Sequence, residues 1–169
     1  MASLKRTTIK KNKIWGEIVE GIIAEHIKGV LHDSSIDVRS ELFDIRKGNR
    51  LIEVKSCAFR TDAPKRLTRK DGSPFIRHYK RKGRFVISTS SHKQLKSQAE
   101  RSKMVAEYVF AVYNFKNGIV QKENFMLIRE KRLSWASTDN FVKKAKSYTR
   151  NDKVINVEFP YSWIFPDML

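Results

Sequence analysis

A single cysteine, Cys57, occurs in the 169 residues. It excludes an internal disulfide and a cysteine-based zinc site. The four histidines, His26, His32, His78 and His92, show neither an H-E-x-x-H motif nor any other paired spacing, so a histidine metal centre is not expected. The chain also has no P-loop, no G-x-G-x-x-G and no G-x-S-x-G, which leaves nucleotide-driven motors, dinucleotide enzymes and α/β hydrolases without support. No apolar run approaches the roughly 18 residues of a membrane-spanning helix, and no signal-peptide core follows the basic start. The expectation is a soluble, intracellular, cytoplasmic protein with no membrane and no nucleotide cofactor. Acid is scarce as well: 18 Asp and Glu stand against 35 Lys and Arg, a net charge of +17 with a pI near 10.1. Such an excess is the electrostatic footprint of a nucleic-acid binder, with a membrane surface as the competing anionic partner. The length and the 40% hydrophobic content suit one domain with its own core.

What is present centres on residues 41–57. Two β-rich runs, 42–46 and 50–56, flank Gly48-Asn49, which suits a two-residue hairpin turn because glycine accepts positive φ at the first central position. With that turn Lys47 faces Arg50, and counting outward sets Asp44 opposite Glu53. Alternation along each strand then gathers Asp44, Glu53 and Lys55 on one face and Phe43, Ile45, Ile52 and Val54 on the other. Two acids and a lysine backed by an apolar face suit a divalent metal held beside a phosphate. Mg²⁺ takes hard oxygen ligands, usually one or two carboxylates plus water and phosphate oxygens. A lysine beside it offsets charge on the scissile group or positions the attacking water.

This stretch resembles the active-site hairpin of the PD-(D/E)xK, or restriction-endonuclease-like, nuclease superfamily. Asp44 matches its first acid and Glu53-Val54-Lys55 its E-x-K, with Phe43 standing where the motif's name has proline. The resemblance implies an α/β fold with a mixed central sheet flanked by helices. It also implies a Mg²⁺-dependent endodeoxyribonuclease, Mn²⁺ being the second candidate metal, with Asp44 and Glu53 as metal ligands, the Val54 carbonyl as a further ligand and Lys55 positioning water. A glutamate on the first helix is a further feature of many such enzymes. In the archaeal Holliday junction resolvases it follows a glycine by four positions, as Glu20 follows Gly16 here; Glu17, one turn earlier, shares a similar face and stays open.

The remaining chain is expected to be organised around that hairpin. Residues 1–13 read as a basic arm, and the apolar stripe from Ile14 to Val30 predicts an amphipathic helix ending near Leu31. Residues 32–35 read as a loop. Residues 58–84 form a basic insertion with Arg60, Lys65, Arg66, Arg69, Lys70, Arg77, Lys80, Arg81, Lys82 and Arg84 as candidate DNA-binding residues, two arms joined by a turn at 71–74. A strand at 84–88, a helix over 91–106 and a buried strand at 107–115 follow, with Lys93, Gln94, Lys96 and Gln98 as candidates to line the site. Residues 116–169 read as a C-terminal elaboration, with a strand at 125–129, a helix at 139–147 introduced by Thr138 or Asp139, an edge strand at 154–159 and an aromatic tail. The functional expectation is a DNA endonuclease, either a Holliday junction resolvase or a restriction or homing type, acting as a homodimer. The alternative is a non-catalytic nucleic-acid-binding protein on the same fold.

Overall fold

A computed structural model describes residues 2–31, 43–150 and 154–168, with side chains at 13–31, 43–149 and 154–168. Its centre is a five-stranded sheet in the order β1-β2-β3-β7-β8, formed by Val30–Leu31, Ile45–Lys47, Arg50–Ala58, Val105–Phe115 and Phe125–Ser134. The sheet is mixed, because β3 and β7 run parallel while β1/β2, β2/β3 and β7/β8 are antiparallel. A second sheet, β6-β10-β9 (Arg84–Ser88, Val154–Pro160, Lys146–Arg150), is hydrogen-bonded separately from the first and shares its core. A third, two-stranded one pairs β4 (Arg60–Thr68) with β5 (Pro74–Lys82). The helices are α1 (Ala2–Ile27), α2 (Thr89–Arg101) and α3 (Trp135–Lys144).

The hairpin register is the one that the turn predicts: Lys47 pairs with Arg50, Arg46 with Leu51 and Ile45 with Ile52, around Gly48 at φ 55°. One expectation about its faces fails. Ile45, Ile52 and Val54 pack with Val19, Ile23 and Ala24 of α1 and with Val109 and Ala111. Phe43 joins the opposite core with Leu51, Cys57, Phe85, Leu95 and Phe110. The chain bends at Asp44, ahead of the first regular β2 residue, so strict alternation ends there and Phe43 turns to the other side.

Other boundaries shift for identifiable reasons. Helix α1 ends at Ile27 rather than near Leu31, since Lys28 adopts φ 53° and Val30–Leu31 forms β1. Its backbone runs through the expected basic arm, from Ala2, and the loop expected at 32–35 lies outside the described residues. Ser88 caps α2, its side chain accepting from the Ser91 N–H, and the helix stops at Arg101 rather than running to 106. Helix α3 starts at Trp135, not 139, because the Ser134 hydroxyl accepts from the Ser137 N–H at 3.1 Å; the cap lies on the residue that ends β8, where strand and helix signals overlap. The strand at 154–159 lies not at an edge but between β6 and β9. Residues beyond 116 therefore supply β8 to the central sheet and β10 to the second. The aromatic tail docks on the same core through Tyr161, Ile164, Phe165 and Met168.

Candidate active site

Asp44 sits in the bend before β2 and is fastened to β3 twice. Its backbone N–H donates to the Ile52 carbonyl at 2.9 Å, and its Oδ2 accepts from the Val54 N–H at 2.7 Å. One residue to either side of Val54 lie Glu53 and Lys55, joined as an ion pair in which Lys55 Nζ donates to Glu53 Oε1. The expected trio is thus assembled by two adjacent strands. Helix α1 adds the third acid: Val19 is fully buried against the sheet, and Glu20 beside it is half-buried, close enough for Glu53 and Lys55 to shift its titration. Glu17 is exposed and faces a solvent groove with Ile14, Ile18 and Lys122. Of the two, Glu20 is the one that lies near the Glu53–Lys55 pair.

Charge in the cluster is out of balance. Burial pushes the Asp44 carboxyl well above its ordinary range, and Glu53 and then Glu20 push it further; Lys55 and the Val54 N–H oppose this. Glu20 is also raised, first by burial, then by Glu53, with Lys55 opposing and Glu17 adding. For Lys55, burial would favour the neutral amine, but Glu53, Asp44 and Glu20 outweigh it and raise its pKa. It is a firm cation at neutral pH. Three carboxylates around one ammonium leave unbalanced negative charge that a divalent cation would relieve.

The donor set fits a hydrated ion rather than an enclosed one. Among the described residues no three His, Cys, Asp or Glu side chains come together tightly enough to hold a metal. Asp44 and Glu53 offer the hard carboxylate oxygens that Mg²⁺ takes together with water. Without metal, Asp44→Asn is expected to raise thermal stability by about 1–2 kcal/mol, or roughly 2–8 °C for a chain of this size. The amide keeps an oxygen for the Val54 N–H and removes a carboxylate that its neighbours repel. Melting in EDTA at pH 7 checks this, and an unchanged or lowered midpoint would show the charges to be well screened.

A buried chain of hydrogen bonds, missed in the sequence, adjoins the cluster. Tyr108 of β7 pairs in register with Glu53 and is 1% exposed. Burial raises its phenol far above the usual range, with Glu53 and Asp44 adding to it. Its hydroxyl lies 2.9 Å from His92 Nδ1, and His92 Nε2 lies 3.2 Å from Asp139 Oδ1. Burial lowers the His92 pKa against the pull of Asp139, so the ring is neutral. Because Asp139 only accepts, the proton sits on Nε2, and Nδ1 accepts from Tyr108. Trp135 stacks on His92 at 4.3 Å and donates its indole N–H to the His92 carbonyl at 2.8 Å. His92 is therefore a core residue of α2. The sequence hides this link because Tyr108 lies within an apolar run, and only the β3/β7 register brings it beside Glu53.

The candidate site-lining residues of α2 are dispersed. Lys93 and Gln94 are exposed, and the Lys96 ammonium stands 4.6 Å over the Trp135 ring. Gln98 Oε1 is buried with no hydrogen-bond partner among the described residues.

The basic insertion forms the β4–β5 ribbon. Lys65 pairs across it with Arg77 and Arg66 with Ile76; all three cations are exposed. Arg69 lies over the Phe75 ring, and Lys70 is exposed beside the turn, where Asp71 Oδ1 accepts from Ser73 N at 2.9 Å and Gly72 adopts φ 83°. Lys80 pairs with Asp62, and Lys82 lies 5.9 Å from the Tyr161 ring centre. Arg60 stands over Phe59, Arg81 borders a cavity of about 330 Å³ with Ser56, Thr61 and Tyr113, and Arg84 of β6 is paired with Glu158. The expected cations thus divide into mostly uncommitted ones toward the tip, Arg69 apart, and partly engaged ones at the base.

A family model described as a PD-(D/E)XK nuclease superfamily domain matches residues 6–155. The chain belongs to the PD-(D/E)XK nuclease superfamily. That membership, with the mixed sheet and its flanking helices, makes it a nuclease-fold protein whose class of chemistry is phosphodiester hydrolysis on a nucleic acid. Among curated proteins and among solved structures, no match is found. No helix among the described residues is long and apolar enough to cross a membrane.

Proposed function

We propose that the chain is a divalent-metal-dependent DNA endonuclease, using Mg²⁺ or Mn²⁺. The observation that carries this reading is the double fastening of Asp44 to β3 beside the Glu53–Lys55 pair. Asp44 and Glu53 would hold the ion, with the Val54 carbonyl as a further ligand and Glu20 acting directly or through water. The metal, when bound, supplies charge neutralisation at the phosphate and an acidified water. Lys55, cationic at neutral pH, orients the attacking water and offsets charge on the scissile group. Cutting in line leaves a 5′-phosphate, as is general in the superfamily. The cations of the ribbon neutralise backbone phosphates, and a homodimer matches the need to cut two strands.

Two substrate types follow from this reading, a four-way junction and a duplex sequence. Glu20 at its offset from Gly16 favours the first, the long basic ribbon the second. Supercoiled plasmid and a synthetic four-way junction, each with Mg²⁺ or EDTA, decide between them using wild type and Glu53→Ala. The expected result is cleavage that needs the metal and is lost in the variant, while binding in EDTA persists. Tight binding with no cleavage of either substrate would replace this reading with a non-catalytic nucleic-acid-binding protein.

A further inference from the structure

The β4–β5 ribbon is built differently on its two faces. Cross-strand partners in an antiparallel pair share a face. One face carries Ala63/Tyr79, Lys65/Arg77 and Leu67/Phe75; Ala63 is 4% exposed, and Leu67 and Phe75 are half-buried. That face is covered only in part, because Lys65, Arg77 and Tyr79 on it are exposed. The other carries Asp62/Lys80, Pro64/His78 and Arg66/Ile76, and every one of those six is exposed, Ile76 at 57%. The acid on this open face is already matched by Lys80 at 2.8 Å, which leaves Arg66 as its free guanidinium.

We propose that this ribbon enters the major groove of duplex DNA with Arg66, Ile76 and His78 against the base edges. Lys65 and Arg77, on the opposite face, add to the electrostatic attraction for the duplex without touching its bases. The inference rests on the nuclease reading only for the cut beside it; the groove contact stands on the ribbon alone. Nine-residue strands extend about 30 Å, and two of them side by side fit a groove roughly 12 Å wide and 8.5 Å deep. A surface that only neutralised phosphate would need cations alone. Here a guanidinium sits across from an exposed branched side chain, the pairing that meets a guanine O6/N7 edge next to a thymine methyl. Arg66 lies eleven positions after Lys55, at most about 40 Å of extended chain. With side-chain reach added, the bases read lie within about fifteen base pairs of the cut, at 3.4 Å per pair.

The test selects bound duplexes from a randomised library in EDTA, using the full chain. Wild type is expected to enrich a sequence containing guanine, and methylating that guanine at N7 to block binding. Arg66→Ala and Arg66→Lys should both lose preference at that position by roughly ten- to a hundredfold, because an ammonium cannot make the two-pronged contact. Ile76→Ala should relax selection for a neighbouring thymine. Lys65→Ala should weaken selected and random duplexes alike and lower the salt dependence by about one counterion. If no sequence is enriched, or if Arg66→Lys and Ile76→Ala retain the wild-type preference, the ribbon does not read bases. Selection in EDTA is independent of cleavage: an enriched sequence without metal-dependent cutting would overturn the nuclease reading and leave the ribbon proposal intact.

Discussion

Lys55→Ala is expected to lower the cleavage rate by about a thousandfold while substrate binding changes little. A positioned cation or proton-handling group at a reacting phosphate contributes about 10²–10⁴ to rate. Lys55 is the group whose charge Glu53, Asp44 and Glu20 all reinforce. The same substitution should destabilise the metal-free protein by about 2 kcal/mol, since removing one partner of a partly buried ion pair strands the other. Here the stranded group is Glu53, whose side chain is 14% exposed, beside an Asp44 that burial and neighbouring charge already disfavour as an anion. Divalent metal should restore most of that loss, because it replaces the missing positive charge. Single-turnover cleavage gives the first quantity, and melting in EDTA and in Mg²⁺ gives the second. A stability loss of equal size in both conditions would mean that Lys55 packs rather than compensates. An unchanged rate would remove it from the reaction.

Gly83→Ala is expected to destabilise the fold by about 3 kcal/mol, a fall in melting temperature of roughly 6–12 °C. A Cβ at Gly83 would stand 1.7 Å from the Ala58 carbonyl oxygen, 2.9 Å from its carbon and 3.1 Å from Cys57 Sγ. Two of these are backbone atoms of the strand that carries Glu53 and Lys55, so no side-chain rotation relieves the overlap. Gly83 joins β5 to β6, its carbonyl accepting from Tyr161 N at 3.2 Å and its N–H donating to the Phe59 carbonyl at 3.4 Å. Gly72→Ala serves as the comparison, because that position has φ 83° but open space around it. Its cost comes from backbone angle alone, about 1 kcal/mol. Thermal denaturation of both variants separates the two causes, and an equal loss in both would refute the steric account of Gly83.

The legible parts of this chain were those fixed by short-range chemistry. Gly48 at positive φ set the hairpin, and counting from it gave the register that brings Asp44 to Glu53. The Asp71–Ser73 turn and the two ribbon arms followed from glycine, proline and charge in the same way. Alternation misled at Phe43 because a bend, not a residue type, changed its face. It also gave no hint that the strand at Val154–Pro160 lies inside a sheet, since that depends on β6 and β9 meeting it from distant parts of the chain. Tyr108 and His92 were invisible for the same reason. Each is unremarkable in its own segment, and their significance is a matter of which segments touch.

Phe59 is the bend between β3 and β4, and it is held from several directions. Its N–H donates to the Tyr113 carbonyl at 2.7 Å, its carbonyl accepts from Gly83, and its ring stacks on Tyr161 at 5.6 Å. One residue on the near side of this bend ends the strand of the acids, and one on the far side begins the ribbon. Extended backbone cannot telescope, and a pinned corner has little freedom to swing. The corner thus ties the strand of the acids to the ribbon through two backbone hydrogen bonds and a ring stack. For the proposed ribbon contact, the covalent length of the chain through this corner sets the upper limit on its distance from the carboxylates along a nucleic acid.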